Sequence, residues 1–283
     1  MKKIKLSNGV EMPLIGYGVF QIQNDDQCIQ CVKEAIEVGY RLIDTAAVYG
    51  NEKAVGIGIK QSKIDRKELF ITSKLWVQDA SYEEAKKAID QSLNNLQLDY
   101  LDLYLIHRPF NDYYGAWRAM EEAYNEGKIK AIGLSNFSDS RLIDLAMNNH
   151  NMPMVNQIEC HPFYQQEQSY QFLKENNIAM EAWAPFAEGR KDIFNNEILI
   201  EIGKKYHKSS AQVILRWLIQ RGIVPLAKST HKERMKENLD VFDFNLTTDD
   251  LEKIKKLDLG KSLFSDNEDA HYAKLINTIK IHD

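Results

Sequence analysis

The sequence predicts an α/β fold of the (β/α)8 TIM-barrel class, with an N-terminal β-hairpin closing the bottom of the barrel and extra helices at the C-terminal end. Short apolar runs alternate with amphipathic runs along the chain of 283 residues, which is typical of a parallel sheet covered by helices. Seven strand-like runs are clear, and residues 14–18 form a plausible eighth. A doubly wound open sheet is disfavoured because Gly16 and Gly56 begin only isolated G-x-G pairs, without the third glycine of a dinucleotide-binding turn.

The hairpin and the strands follow from turn residues and apolar runs. Residues 3–6 and 10–12 flank the pair Asn8-Gly9, which is typical of a tight hairpin turn. The other runs are short and bounded by charged, Gly or Asn residues, as expected for buried parallel strands. The seven clear runs are residues 41–44, 69–73, 101–106, 129–134, 155–158, 178–183 and 223–226.

Amphipathic segments between these runs predict the covering helices. The clearest is 81–96, where Ser81 and Glu84 match a capping box and apolar residues then recur at three- and four-residue spacing. The other candidates are 26–38, 51–62, 114–126, 139–150 and 165–176. Glycines expected to form left-handed C-caps before strands are Gly39, Gly127 and Gly222. We expect residues 1–283 to form one barrel domain, with a C-terminal flap at about 260–283.

Composition argues against a nucleic-acid-binding, a membrane-spanning or a disulfide-rich protein. A net charge of −5 argues against a nucleic-acid surface, and no apolar run has membrane length. The basic N-terminus lacks the apolar core of a signal peptide, so we expect a cytoplasmic protein with no membrane or nucleic-acid partner. Three cysteines cannot form a paired disulfide framework. Cys28 and Cys31 form a C-x-x-C inside a predicted helix, where we expect small apolar residues rather than a redox or zinc site.

Four polar residues at or just after predicted strand ends indicate chemistry. They are Asp44, Tyr49, Lys74 and His107. In a closed parallel barrel these ends meet at one rim. There, a lysine ammonium is expected to lower the pKa of the tyrosine phenol, a carboxylate to pair with that buried ammonium, and a neutral histidine to orient a carbonyl group. Each residue alone also fits an ordinary structural role, but together they predict proton delivery to a carbonyl oxygen, with the hydride coming from a cofactor.

Several ordered segments resemble the aldo-keto reductase family. They are residues 39–52, 104–109, 127–137, 156–159 and 224–230, and the similarity extends over about 12–257. The resemblance, which is to bacterial reductases of diketogluconate and methylglyoxal, implies a barrel that binds NADPH and is usually monomeric. It also implies Tyr49 as the proton donor, Asp44 and Lys74 as the residues that adjust its pKa, and His107 as the residue that orients the carbonyl.

The resemblance further implies a set of cofactor contacts. Those to the nicotinamide carboxamide are Ser135, Asn136 and Gln157, and the ring that stacks on the nicotinamide is Trp183. Those to the adenosine 2′-phosphate are Lys228, Ser229, Thr230 and Arg234, a set whose Lys and Arg suit a dianion. Those to the adenine are Glu237 and Asn238. The remaining implied contacts are Gly18, Phe20, Ala184 and Phe186.

The sequence thus predicts an enzyme, an NADPH-dependent carbonyl reductase of broad specificity acting on aldehydes and ketones. The predicted substrate pocket consists of Phe20, Trp76, His107 and Phe110. Arg108 stands where the family commonly has Trp or Gln, which leaves the choice of substrate open.

Two alternatives belong to other classes of protein. One is a non-catalytic module that binds NADPH to regulate a partner, which the intact set of four polar residues disfavours. The other is a metal-dependent barrel hydrolase with Glu159 and His161 as ligands beside Asp44 and His107. Because no H-x-H pair is present, we expect no metal site.

Overall fold

The computed structural model describes residues 2–283 and contains a closed barrel of eight parallel strands, so the predicted TIM-barrel class is confirmed. The barrel strands are β3 (Gly16–Gly18), β4 (Leu42–Asp44), β5 (Phe70–Leu75), β6 (Leu103–Ile106), β7 (Ile132–Ser135), β8 (Val155–Glu159), β9 (Ala179–Trp183) and β10 (Val224–Ala227). Their order follows the chain, and β10 closes the barrel by pairing Leu226 with Gly16 of β3. All eight strands therefore present their carboxyl ends at one rim.

A two-stranded hairpin precedes the barrel, as predicted. Strands β1 (Lys3–Lys5) and β2 (Glu11–Pro13) pair antiparallel. The side-chain amide of Asn8, in the turn, donates to the carbonyl of Lys130 at 2.9 Å. Because Lys130 lies just before β7, the hairpin lies at the end of the barrel opposite the carboxyl rim.

Helices cover the barrel, and every amphipathic segment singled out in the sequence contains one. They are α1 (Asp25–Val38), α2 (Glu52–Ser62), α3 (Tyr82–Leu96), α4 (Tyr113–Asn125), α5 (Asp139–Met147), α6 (Glu167–Glu175), α7 (Glu197–Tyr206), α8 (Ser210–Gln220), α9 (Lys232–Leu239), α10 (Thr248–Lys255) and α11 (Ala270–Thr278). Within residues 2–283 no helix has the length and apolarity needed to cross a membrane. Cys28 and Cys31 are buried on α1 as free thiols.

The helix ends confirm a predicted glycine C-cap at α1 and correct the predicted capping box at α3. Gly39 has a φ of +118° and caps α1 in the left-handed conformation, as expected. Ser81 accepts a hydrogen bond from the backbone N–H of Glu84 at 3.4 Å. The Glu84 carboxylate does not return the bond, because it pairs with Lys87 at 2.7 Å instead. The predicted capping box at α3 is therefore only half formed.

The C-terminal segment folds back over the carboxyl rim. The side chain of Ile276 in α11 is buried against Trp76 and Phe110, and the indole N–H of Trp76 donates to the carbonyl of Ile279 at 2.8 Å. Asn267 donates to the carbonyl of Asn136 at 2.7 Å. These contacts make the segment a wall of the rim, in the place where the sequence predicted a flap.

Candidate active site

Three of the four predicted catalytic residues form a hydrogen-bonded chain at the carboxyl rim. Asp44 ends β4, Tyr49 closes a short 3-10 turn that follows, and Lys74 lies in the neighbouring strand β5. The completely buried ammonium of Lys74 donates to Asp44 Oδ1 at 2.6 Å and to Tyr49 Oη at 3.4 Å. The carboxylate thus neutralises a buried cation that at the same time contacts the phenol.

His107 completes the group from β6. Its ring lies edge-on to Tyr49, with the ring centroids 5.7 Å apart, and edge-on to Trp76 at 5.4 Å. Its Nδ1 is buried without a hydrogen-bond partner. The structure therefore brings all four predicted residues together.

Burial dominates the protonation of this group. It lowers the pKa of His107 well below its usual range, with Lys74 and Arg108 adding to the effect, so the imidazole is neutral. Burial also raises the pKa of Tyr49, and Lys74 offsets only part of that rise. The expectation of a lowered phenol pKa is therefore wrong for the protein alone, because burial outweighs the effect of the ammonium, which Asp44 also opposes. Tyr49 stays protonated at neutral pH, as a proton donor must.

Gln157 is held by two carboxylates, one of which the sequence did not single out. Its side-chain amide nitrogen donates to Asp44 Oδ2 at 3.0 Å and to Glu181 Oε2 at 2.9 Å. Burial, followed by the nearby charge of Asp44, raises the pKa of Glu181 to about 8. Both hydrogens of the Gln157 side-chain amide are thus engaged, and the side-chain oxygen is left to accept a hydrogen bond from a ligand. Glu181 resembles any polar strand residue in the sequence, and only its burial reveals the contact.

Asn136, one of the residues predicted to contact the nicotinamide carboxamide, is hydrogen-bonded to Ser135, His107 and Trp183. Its side-chain nitrogen donates to Ser135 Oγ at 2.9 Å and to the carbonyl of His107 at 3.0 Å. Its side-chain oxygen accepts from the indole N–H of Trp183 at 2.8 Å. This hydrogen bond fixes the Trp183 ring, and Phe264 packs against that ring with a centroid distance of 5.2 Å and an interplanar angle of 70°.

A cavity of about 690 Å³ opens at this rim and collects most of the predicted site residues. Those lining it are Gly18, Phe20, Asp44, Tyr49, Trp76, His107, Ser135, Asn136, Gln157, Trp183, Ala184, Phe186 and Lys228. Lys74 lies behind Asp44 and Tyr49. The placement of Phe110 in the substrate pocket is wrong in this structure, because the ring is buried beneath the wall against Trp76, Val77 and Ile276. Tyr272 and Ile279 of the C-terminal segment line the cavity instead.

The residues expected to hold a phosphate follow β10 along the chain, and only Lys228 among them lines the cavity. Lys228 lines the cavity and is exposed, and Arg234 is exposed on α9. Within residues 2–283 neither forms a salt bridge, whereas their neighbours Lys232 and Lys236 pair with Glu37 and Glu233. Two exposed cations that follow β10, one on the cavity lining and one on α9, are therefore available to a ligand.

The remaining residues expected to contact the phosphate and the adenine do not line the cavity either. Ser229 is fixed by the Tyr17 hydroxyl, which donates to its backbone carbonyl at 2.6 Å. Glu237 accepts from the Ser209 hydroxyl at 2.5 Å, and Asn238 is buried. Thr230 is partly exposed on the loop before α9.

The residues of the alternative metal site are engaged with other groups. His161 Nε2 and Glu159 Oε1 are 3.0 Å apart. Glu159 also accepts from the Ser262 hydroxyl at 2.5 Å and from the backbone N–H of Leu263 at 2.9 Å. No cluster of three metal-ligating side chains occurs in residues 2–283. Glu159 thus anchors the start of the C-terminal segment.

Comparison with known proteins identifies the family. The family model described as "Aldo/keto reductase family" matches residues 14–259. The chain belongs to the aldo/keto reductase family. This aldo/keto reductase is 50% identical over 255 residues to glyoxal reductase of Bacillus subtilis (strain 168), covering 90% of this chain and 92% of that protein. It is 43% identical over 266 residues to methylglyoxal reductase DkgA of Escherichia coli (strain K12), covering 93% and 96%.

A solved structure supports the same assignment. An aldo-keto reductase of Bombyx mori in complex with NADP superimposes on this aldo/keto reductase with a TM-score of 0.89 at 34% identity. The match covers 96% of each chain. The family resemblance inferred from the sequence motifs is therefore confirmed.

Proposed function

We propose that this aldo/keto reductase reduces aldehydes and ketones to alcohols with NADPH, using Tyr49 as the proton donor. The observation that carries the proposal is the chain from Asp44 through the Lys74 ammonium to the Tyr49 phenol, with the phenol on the cavity wall. Relatives named glyoxal reductase and methylglyoxal reductase support small dicarbonyls as the first substrates to test.

The cavity fits the proposed cofactor at both ends. At one end the side-chain oxygen of Gln157, Oε1, has no partner in residues 2–283 while both hydrogens of its side-chain amide are taken, which suits a ligand amide that donates. Trp183, fixed through Asn136, offers a flat apolar surface beside it. At the other end Lys228 and Arg234 supply cations that suit the 2′-phosphate and favour NADPH over NADH.

The chemistry assigns one role to each residue. When bound, NADPH supplies the hydride that the carbonyl carbon accepts. His107, neutral because it is buried beside cations, orients the carbonyl oxygen by hydrogen bonding. Tyr49 gives its proton to that oxygen as negative charge develops, and Lys74 stabilises the phenolate that remains. Burial alone would lower the pKa of Lys74, but Asp44 and Tyr49 together more than offset it, so the pKa is raised and the ammonium stays charged.

The test is NADPH oxidation by the purified protein with methylglyoxal and glyoxal, with the alcohol product identified by mass spectrometry. We expect oxidation that requires both carbonyl and cofactor and that is unaffected by a chelator. No NADPH oxidation, together with chelator-sensitive hydrolysis of an ester, would favour the metal-dependent hydrolase. Cofactor binding without any carbonyl reduction would favour the regulatory module.

A further inference from the structure

Arg108 is a cavity residue that the proposed mechanism does not use. It follows His107 directly and lines the same cavity. Its Nη1 donates to Asn267 Oδ1 at 3.3 Å, and its guanidinium lies 5.5 Å from the ring centroid of Tyr272. Its Nε is buried without a hydrogen-bond partner. The hydrogen-bonding capacity of this cation is therefore largely unused.

No carboxylate in residues 2–283 forms a salt bridge with Arg108. By contrast, the partly buried Arg66 pairs with Asp102 at 2.6 Å, and Arg141 pairs with Glu268 at 3.2 Å. Two acidic residues line the cavity: Asp44 pairs with Lys74, and Glu188 accepts from the side chain of Gln21 at 3.5 Å. Glu159, whose charge acts on the pKa of Arg108, is held by Ser262, Leu263 and His161. Burial lowers the pKa of Arg108, although a guanidinium stays charged at neutral pH. An unpaired, largely buried cation is costly, and a bound anion would relieve that cost.

The charge of Arg108 also affects the pKa of His107 and of Tyr49. After burial and Lys74, it is the next contributor that lowers the pKa of His107. It also acts to lower the pKa of Tyr49, against the larger effect of burial. A substrate whose carbonyl contacts Tyr49 and His107 therefore has its remaining atoms within the field of this cation.

We propose that Arg108 binds a carboxylate on the substrate, so that the preferred substrates are aldehydes and ketones that carry an acid group near the carbonyl. The planar guanidinium matches a carboxylate with two parallel hydrogen bonds. The inference rests on the proposed reductase function and adds a substrate class to it. Phe20, Trp76, Tyr272 and Ile279 line the same cavity and offer no competing cation, and the other cations on its lining are Lys228 and Arg190.

The test compares succinic semialdehyde with its methyl ester, which keeps the aldehyde and removes the charge. We expect the wild type to prefer the acid, and Arg108→Gln to lower the ratio of kcat/KM for the acid to that for the ester about tenfold or more. Arg108→Lys should retain part of the preference, because it keeps the charge without the planar fork.

A second arm measures binding without turnover. In the complex with NADP⁺, butyrate should bind about tenfold more weakly to Arg108→Gln than to wild type by calorimetry. NADPH should bind equally to both, because Arg108 is assigned to the substrate.

The matched control is Arg141→Gln. Arg141 holds the C-terminal segment through Glu268 and donates to the carbonyl of Pro109 at 3.0 Å, without lining the cavity. We expect it to leave the ratio of acid to ester unchanged. If Arg108→Gln lowers acid and ester equally, or leaves their ratio and butyrate binding unchanged, the proposal is overturned. If the wild type oxidises NADPH with neither substrate nor with methylglyoxal, the proposed function fails, and butyrate binding alone then decides the role of Arg108.

Discussion

At the residue scale, the site depends on how buried charges are divided among neighbouring groups. Asp44 and Glu181 both accept from the amide nitrogen of Gln157, but only Asp44 has a cation, Lys74, as a partner. Glu181 is fully buried, and its second oxygen has no hydrogen-bond partner. We infer that Glu181 is kept neutral at physiological pH and positions Gln157 without adding a second negative charge beside Lys74.

Glu181 gives a prediction about stability and pH. Its pKa in the folded protein, about 8, lies above the ordinary value of 4.5. The folded state therefore holds this proton more tightly than the unfolded state, and its contribution to stability is lost as the pH rises from about 4.5 to about 8. Glu181→Gln removes this titration. Relative to wild type, the variant should gain on the order of a few kcal/mol in the free energy of unfolding between about pH 5 and pH 8.

Urea denaturation of both proteins across this pH range measures the effect. Taking the difference between variant and wild type cancels the titration of the other groups. Parallel curves of unfolding free energy against pH would show that Glu181 is ionised in the folded state, and the neutral positioning role would then be excluded.

At the scale of elements, the docking of the C-terminal segment determines which side chains line the cavity. Phe110 follows His107 closely, so sequence order placed it in the pocket. In the structure α11 covers that part of the rim and buries Phe110 under Trp76 and Ile276. The segment's polar residues and weak apolar periodicity gave no sign of where it would dock. The partners of a terminal segment depend on tertiary contacts that local patterns do not contain.

Two neighbouring residues of α11 test this docking. Ile276 is buried against Trp76, whereas Leu275 next to it is 57% exposed. Ile276→Ser should loosen the segment, since it removes apolar contact and places a hydroxyl in an apolar cluster. We expect the KM for methylglyoxal to rise several-fold, about three- to tenfold, with NADPH affinity unchanged, and proteolysis after residue 265 to become faster. Leu275→Ser is the control, and equal effects of both substitutions would contradict the assigned wall.

At the scale of the whole molecule, the architecture was predictable because its signals repeat. Each strand–helix unit carries its own apolar pattern, and an error of a few residues in one unit, such as 129–134 for β7 (Ile132–Ser135), does not alter the closed order. The four polar residues of the rim were predictable because parallel strands bring their carboxyl ends together. Glu181 and the pKa of Tyr49 were not, because both depend on burial, which sequence spacing does not reveal.

The cofactor is proposed to extend across the whole rim, from Gln157 to Arg234, and this extent gives a prediction about ligand stabilisation. A ligand present at one hundred times its Kd stabilises the folded state by about 2.7 kcal/mol. We expect NADPH to raise the melting temperature more than NADH at equal concentration. Arg234→Ala should remove most of that difference, because the cation that suits the 2′-phosphate is lost.

Lys236→Ala is the control, because Lys236 lies on the same helix but already pairs with Glu233. If Arg234→Ala and Lys236→Ala shift the NADPH melting curve alike, the assignment of Arg234 to the phosphate is wrong. Thermal scans with both cofactors need no substrate, so the result does not depend on the identity of the carbonyl compound.

The most direct test of the account is the rate of NADPH oxidation with methylglyoxal by wild type and Tyr49→Phe, with NADPH affinity measured for both by tryptophan fluorescence. We predict a loss in kcat of about a hundred- to ten-thousand-fold, the usual contribution of a general acid, with unchanged NADPH affinity. Tyr82→Phe, which removes a hydroxyl bonded to Glu122 on the outside of the barrel, should retain full activity. Equal rates for wild type and Tyr49→Phe would contradict the assignment of the proton donor.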